Sequence, residues 1–83
     1  MSECAERIVS LVEFLATSLV DDPDQVAILS EEEGDRLNLV IQVATDDTGK
    51  IIGRSGRTIK AIRTLARAAA GDDPLFVEVD VKD

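Results

Sequence analysis

The chain has 83 residues, 45% of them hydrophobic, and a formal net charge of −8. With no histidine and a single cysteine, Cys4, it can hold neither an intrachain disulfide nor a Cys/His zinc site. No apolar run is long enough to span a membrane and no signal-peptide pattern is present, so a cytoplasmic protein with no membrane partner is expected. The length fits one domain, residues 1–83, which buries roughly 60–65% of its unfolded surface and folds with little margin.

Ser2 to Val20 reads as an amphipathic helix. Ile8, Leu11, Val12, Leu15, Ala16 and Leu19 form its apolar face, and Ser2, Glu3 and Glu6 suit its N-terminal end. Cys4 fits as a small residue in or beside this helix. Asp21-Asp22-Pro23-Asp24 stops it, because a proline disfavours helix at the residue before it. Gln25 to Leu29 then reads as a short strand. Glu31 to Asp35 is an acidic turn around Gly34, consistent with a hairpin; its carboxylates lack the spaced ligand pattern of a calcium loop. Leu37 to Ala44 is the clearest strand, with Leu37, Leu39, Ile41 and Val43 on one face and Asn38, Val40 and Gln42 on the other.

Thr45-Asp46-Asp47 suits the start of a short helix running to about Ile52, its carboxylates at the positive end. Gly53 to Gly56 turns the chain, and a second helix runs to about Ala70 with Ile59, Ile62, Leu65, Ala66 and Ala69 on one face. Gly71-Asp72-Asp73-Pro74 ends that helix in the expected glycine-then-proline order. Leu75 to Val81 closes the chain as a strand with Val77, Val79 and Val81 alternating. Phe14 and Phe76 are expected in the core. The order α-β-β-α-α-β predicts an α+β fold. Its first two strands pair as a hairpin, its second and third pair in parallel through a helical crossover, and the helices cover one face of a three-stranded mixed sheet.

The charges are unevenly placed. Lys50, Arg54, Arg57, Lys60, Arg63 and Arg67 lie in an 18-residue stretch with no acidic residue, and the rest of the chain has three basic residues against seventeen acidic. Gly53 and Gly56 bracket Arg54 and Ser55 at the start of the second helix of the pair. Glycines there admit close backbone approach, and a helix start offers unpaired N–H groups to an anion, above all a phosphate. Two glycines three apart also serve merely to end one helix and open the next, and a basic stripe is commonly a solvated face. The confinement of the basic residues to this loop and its helix favours a polyanion site.

Ile52-Gly53-Arg54-Ser55-Gly56-Arg57-Thr58-Ile59-Lys60-Ala61-Ile62 resembles the signature of KH domains, in which a G-x-x-G loop between two helices clamps about four nucleotides of a single strand. The element order is that of the type II KH fold. Ser18 to Val26 and the alanine-rich run Ala66 to Ala70 resemble the small stand-alone bacterial KH proteins of the KhpA family. The resemblance implies a cytoplasmic RNA-binding protein and RNA chaperone. It also implies self-association as a homodimer or pairing with a larger Jag-type KH protein, in a pathway of cell elongation and envelope growth. Carried onto this chain, it makes Gly53, Arg54, Ser55 and Gly56 backbone contacts to single-stranded RNA or single-stranded DNA, with Arg57 and Lys60 beside them and Lys50 and Ile52 flanking the loop. Ile51 and Ile59 belong to the apolar groove or the core, with core favoured for Ile59. Arg63 and Arg67 are carried away from the loop by their helix. Asp72 and Asp73 border the groove and weaken phosphate binding there.

No catalytic residue, cofactor or metal is expected, since general acid–base and nucleophilic candidates are lacking. Without Trp or Tyr there is no aromatic stacking platform, so low sequence specificity is expected. A duplex-reading helix-turn-helix fits poorly with three strands and the glycine loop. The stronger alternative is a protein-interaction module using the open sheet face or helix 1.

Overall fold

A computed structural model describes residues 2–82. The chain forms α1 (Glu3–Leu19), β1 (Ala27–Glu33), β2 (Arg36–Gln42), α2 (Thr48–Ile52), α3 (Arg57–Ala70) and β3 (Phe76–Val81), with single 3₁₀ turns at Pro23–Gln25, Thr45–Asp47 and Arg54–Gly56. The sheet order is β1-β2-β3; β1 and β2 are antiparallel, and β2 and β3 are parallel. This is the α+β, type II KH arrangement that the element order implied.

Period-2 alternation places Leu37, Leu39 and Ile41 of β2 and Val77 and Val79 of β3 on the inner face, where all five are buried. Against them pack Ile8 and Val12 of α1, Ile51 of α2, and Ile59 and Ile62 of α3. The buried stripe of α1 is narrower than its apolar content: Cys4, Ala5, Ile8, Val12 and Ala16 are inside, Leu11 and Leu15 are half-buried, and Leu19 is exposed. Small residues at positions 5 and 16 let the helix sit close, so the stripe centres on them and not on the leucines. The start of α1 meets the end of α3, where the Cys4 thiol lies 3.9 Å from the Ala70 carbonyl oxygen.

Several expectations are corrected. Phe14 and Phe76 are not core residues; they are 66% and 52% exposed. Phe76 falls in register with Arg36 on the uncovered face of the sheet, and the Arg36 guanidinium stands 5.3 Å from its ring centroid. Leu65 is also exposed, on the outer side of α3. The acidic run Glu31 to Glu33 is strand, not turn, and the hairpin turn is only Gly34 and Asp35. Gly34 has φ 63°, which suits a two-residue hairpin with glycine first. Glu31 and Glu33 face Asn38 and Arg36 across the uncovered face, where their charge costs little. Glu32 reaches the N-terminus of α1, accepting from the Ser2 amide at 3.0 Å and the Ser2 hydroxyl at 3.1 Å. Ser2 in turn caps α1 by accepting from the Ala5 amide at 3.1 Å. Gln25 lies in the 3₁₀ turn, so β1 begins two residues later than expected.

Among the described residues no helix is long and apolar enough to cross a membrane. Leu39→Ala removes a fully enclosed side chain and is expected to cost about 2–5 kcal/mol in urea-induced unfolding. Phe14→Ser at its exposed position should cost less than about 1 kcal/mol.

Candidate nucleic-acid interface

The turn between α2 and α3 is built from backbone conformations that most residues avoid. Gly53 sits at φ 76°, ψ 172°, a region essentially confined to glycine. A Cβ there would also strike the Thr58 side chain and come within 2.8 Å of the Thr58 backbone nitrogen. Ser55 is left-handed (φ 57°, ψ 26°), as is Gly56 (φ 72°, ψ 17°). A Cβ on Gly56 would meet nothing nearer than Ile59 Cγ2 at 4.0 Å, so conformation and not crowding favours glycine there. The turn is closed by the Gly53 amide donating to Gly49 O at 2.8 Å and the Gly56 amide donating to Gly53 O at 3.1 Å.

The result exposes Arg54 and Ser55 at the tip, with Arg57 and Lys60 on the first turn of α3, also exposed. No side chain caps α3 at Gly56. The Arg57 amide donates to Arg54 O, and the amides that follow it, with the positive end of the dipole, open at the same helix start as the three cations. Among the described residues, no carboxylate lies within ion-pair distance of Arg54, Arg57 or Lys60. Ile52 flanks the tip and is partly exposed, whereas Ile51 and Ile59 are core.

Lys50 has a different place. Its ammonium donates to Asp21 Oδ2 at 2.7 Å and to Asp47 Oδ1 at 3.0 Å. Asp47 is buried and does not cap its own helix, although the sequence suggested that role. Its carboxylate accepts from the backbone amides of Asp21 at 3.2 Å and Asp22 at 3.1 Å. The end of α1 and the start of α2 are thus tied together beneath the loop. The Lys50 hydrogen bond, helped by the two amides, holds the Asp47 carboxyl below its ordinary 3.8 despite burial. The Asp21 and Asp47 carboxylates hold the Lys50 ammonium above its ordinary 10.5.

Arg63 and Arg67 are also engaged. The Phe76 and Lys82 amides donate toward β2, to Asp35 O and Ile41 O, so the alternate residues of β3 turn their backbone outward along the sheet's free edge. Arg63 Nε donates to Val79 O at 2.8 Å and Arg67 Nε to Val77 O at 3.2 Å, satisfying those edge carbonyls. Arg63 also pairs with Asp80 at 3.3 Å. Between α3 and β3 runs a groove of about 530 Å³, lined by Lys60, Arg63, Thr64 and Arg67 on one side and residues 78–80 on the other. Asp72 and Asp73 lie exposed in the turn before β3. Neither the Asp47 brace nor the edge contacts had a local signal in the sequence, because each joins residues 10 to 26 positions apart.

The element order, the mixed sheet and the G-x-x-G turn between two helices define a KH domain of type II. The chain belongs to the KhpA/KhpB KH-domain family, whose model matches residues 9–81, and that family is non-enzymatic. It is 42% identical over 74 residues to the RNA-binding protein KhpA of Halalkalibacterium halodurans, covering 89% of this chain and 97% of that protein. The RNA-binding protein KhpA of Bacillus subtilis is 37% identical, covering 94% of this chain and 96% of its own. That of Clostridium acetobutylicum is 46% identical, covering 86% and 95%. No solved structure matches the chain significantly.

Gly56→Ala is expected to destabilise by about 1–2 kcal/mol, the cost of a left-handed Cβ, and Gly53→Ala by more, because strain and collision combine there. Chemical denaturation of both variants gives the order. Because the Asp47 pKa is lowered on folding, its contribution to stability is present above its ordinary 3.8 and is lost as pH falls below that value. Asp47→Asn should therefore lower the thermal midpoint at pH 7 and flatten the acid limb of a stability–pH profile below pH 3.8.

Proposed function

We propose that this chain is a non-catalytic single-stranded RNA-binding protein that grips the phosphate backbone with Gly53, Arg54, Ser55 and Gly56. The observation that carries the reading is the set of cations, Arg54, Arg57 and Lys60, that have no carboxylate partner among the described residues and gather at a helix start without a side-chain cap around a glycine-built turn. Backbone amides and guanidinium groups at that place suit phosphate oxygens. Ile52 offers an apolar contact for a sugar or base at the rim. Lys50 acts from below: its ammonium, held by Asp21 and Asp47, braces α2 against the end of α1. The names of the relatives, each an RNA-binding protein, support the choice of RNA; single-stranded DNA shares the same backbone chemistry.

A clamp of three cations binds modestly, and we further propose that the protein acts as a cytoplasmic RNA chaperone in a dimer. The partner is a second copy or a larger Jag-type KH protein, and two weak sites gain affinity through avidity. The exposed Phe14 and Leu65 on α1 and α3 supply apolar surface for such an association. The same residues favour a second reading, in which the fold serves to dock a protein and the basic loop receives an acidic partner.

Fluorescence polarisation of a labelled oligouridine across several salt concentrations separates the two. A clamp of three phosphates predicts a slope of about −2 log units of affinity per log unit of salt. Arg54→Asp, Ser55→Asp should abolish binding without unfolding, since aspartate tolerates the left-handed conformation at position 55 better than most residues. Equal binding by the variant places the contact elsewhere, and no binding by either protein gives the protein-docking reading the lead.

A further inference from the structure

The groove between α3 and β3 holds a donor–acceptor pair that the phosphate clamp does not use. An edge strand bordering a groove would ordinarily offer its outward carbonyls to a base, but here Val77 O and Val79 O are already taken by Arg67 Nε and Arg63 Nε. A base lying in the groove therefore meets side chains. Nearest to hand is the Arg63–Asp80 pair. Val79 O fixes Arg63 through Nε, and one Nη contacts Asp80 Oδ1 at 3.3 Å. The guanidinium is thereby presented with further N–H bonds directed away from those two partners, and Asp80, largely exposed, keeps its second oxygen and a further lone pair of Oδ1 for a ligand.

We propose that Arg63 and Asp80 form a guanine-preferring subsite for one nucleotide of the bound strand; this rests on the RNA-binding reading above. Among the four bases only guanine places one acceptor, O6, beside two donors, N1–H and N2–H. The guanidinium donates to O6 while the carboxylate accepts both N–H groups. Uracil offers a carboxylate one donor, at N3, and cytosine and adenine offer one amino group each. With one guanidinium N–H and two carboxylate acceptors facing the base, guanine makes three hydrogen bonds where each of the other bases makes two. The groove runs beside the same first turns of α3 that carry Arg57 and Lys60, so a strand held at the loop passes its bases toward this pair.

The experiment compares UUUGUUU with UUUUUUU, and with the same strand carrying a single cytosine or adenine, by fluorescence polarisation at one salt concentration. The guanine strand should bind about tenfold tighter than oligouridine, as a well-made bidentate base contact gives, and the other two by no more than about threefold. Asp80→Asn replaces a double acceptor by a mixed group at an exposed site. It should bring the guanine preference to about twofold or less while oligouridine affinity holds or rises. Oligouridine binding with no guanine preference, or a preference that survives Asp80→Asn, overturns the subsite and leaves the phosphate clamp standing. Failure of every strand to bind overturns both.

Discussion

The buried carboxylate of Asp47 is the constraint on which the placement of the loop depends. A charge inside a protein is tolerated only when its lone pairs are met, and here two backbone amides and an ammonium meet them. Those partners come from the chain that leaves α1 and from the first turn of α2. Meeting them therefore fixes where α2 stands and where Gly53 begins its turn. Few hydrophobic contacts are available for that task, since α2 has five residues and buries only Ile51. The short helix is located by electrostatics at its start and by one isoleucine below. Lys50 closes the arrangement from the solvent side, where its pairing with exposed Asp21 adds little by itself but completes the neutralisation of Asp47.

Six basic residues spaced along one stretch look like a single stripe, yet the fold divides them by task. Lys50 neutralises Asp47. Arg63 and Arg67 serve the free edge of β3, where open carbonyls would otherwise invite pairing with another strand. Arg54, Arg57 and Lys60 are left without carboxylate partners among the described residues. The division follows from distance along α3: at 1.5 Å of rise per residue, position 63 lies about 9 Å beyond position 57 and alongside the strand. Arginine suits the edge role because Nε can bind a carbonyl while the terminal nitrogens remain available to a second partner.

What was legible in the sequence was what local rules govern. Alternation in β2, the glycine pair with its flanking isoleucines, and the Gly-then-Pro stop after α3 each depend on residues within a few positions of one another. From them the element order and the chain topology followed. Three features escaped because they depend on distant neighbours. Phe14 and Phe76 look like core in any composition count, but Ala5, Ile8, Val12 and Ala16 fill the helix–sheet interface first. Glu31 to Glu33 look like a loop until one sees that β1 is an edge strand with an uncovered face and a helix N-terminus within reach. Lys50 looks like its basic neighbours until Asp47 is known to be buried.

The opposed charges of the loop and the body also set the conditions under which such a site works. The molecule is 34 Å along its longest axis, several times the Debye length of about 8 Å at physiological ionic strength. At that salt, acidic residues at the far end are screened from the loop, and a strand near Gly53 feels chiefly Arg54, Arg57 and Lys60. When salt is lowered, each phosphate contact strengthens through counterion release, but the screening length grows toward the size of the molecule and the net charge of −8 begins to repel the strand. For the proposed clamp the two effects oppose each other, so its affinity would rise less steeply at low ionic strength than three phosphate contacts alone would give. A uniformly basic protein would gather any polyanion from a distance; on the proposed RNA-binding reading this chain would discriminate at contact, by what the strand meets after it arrives.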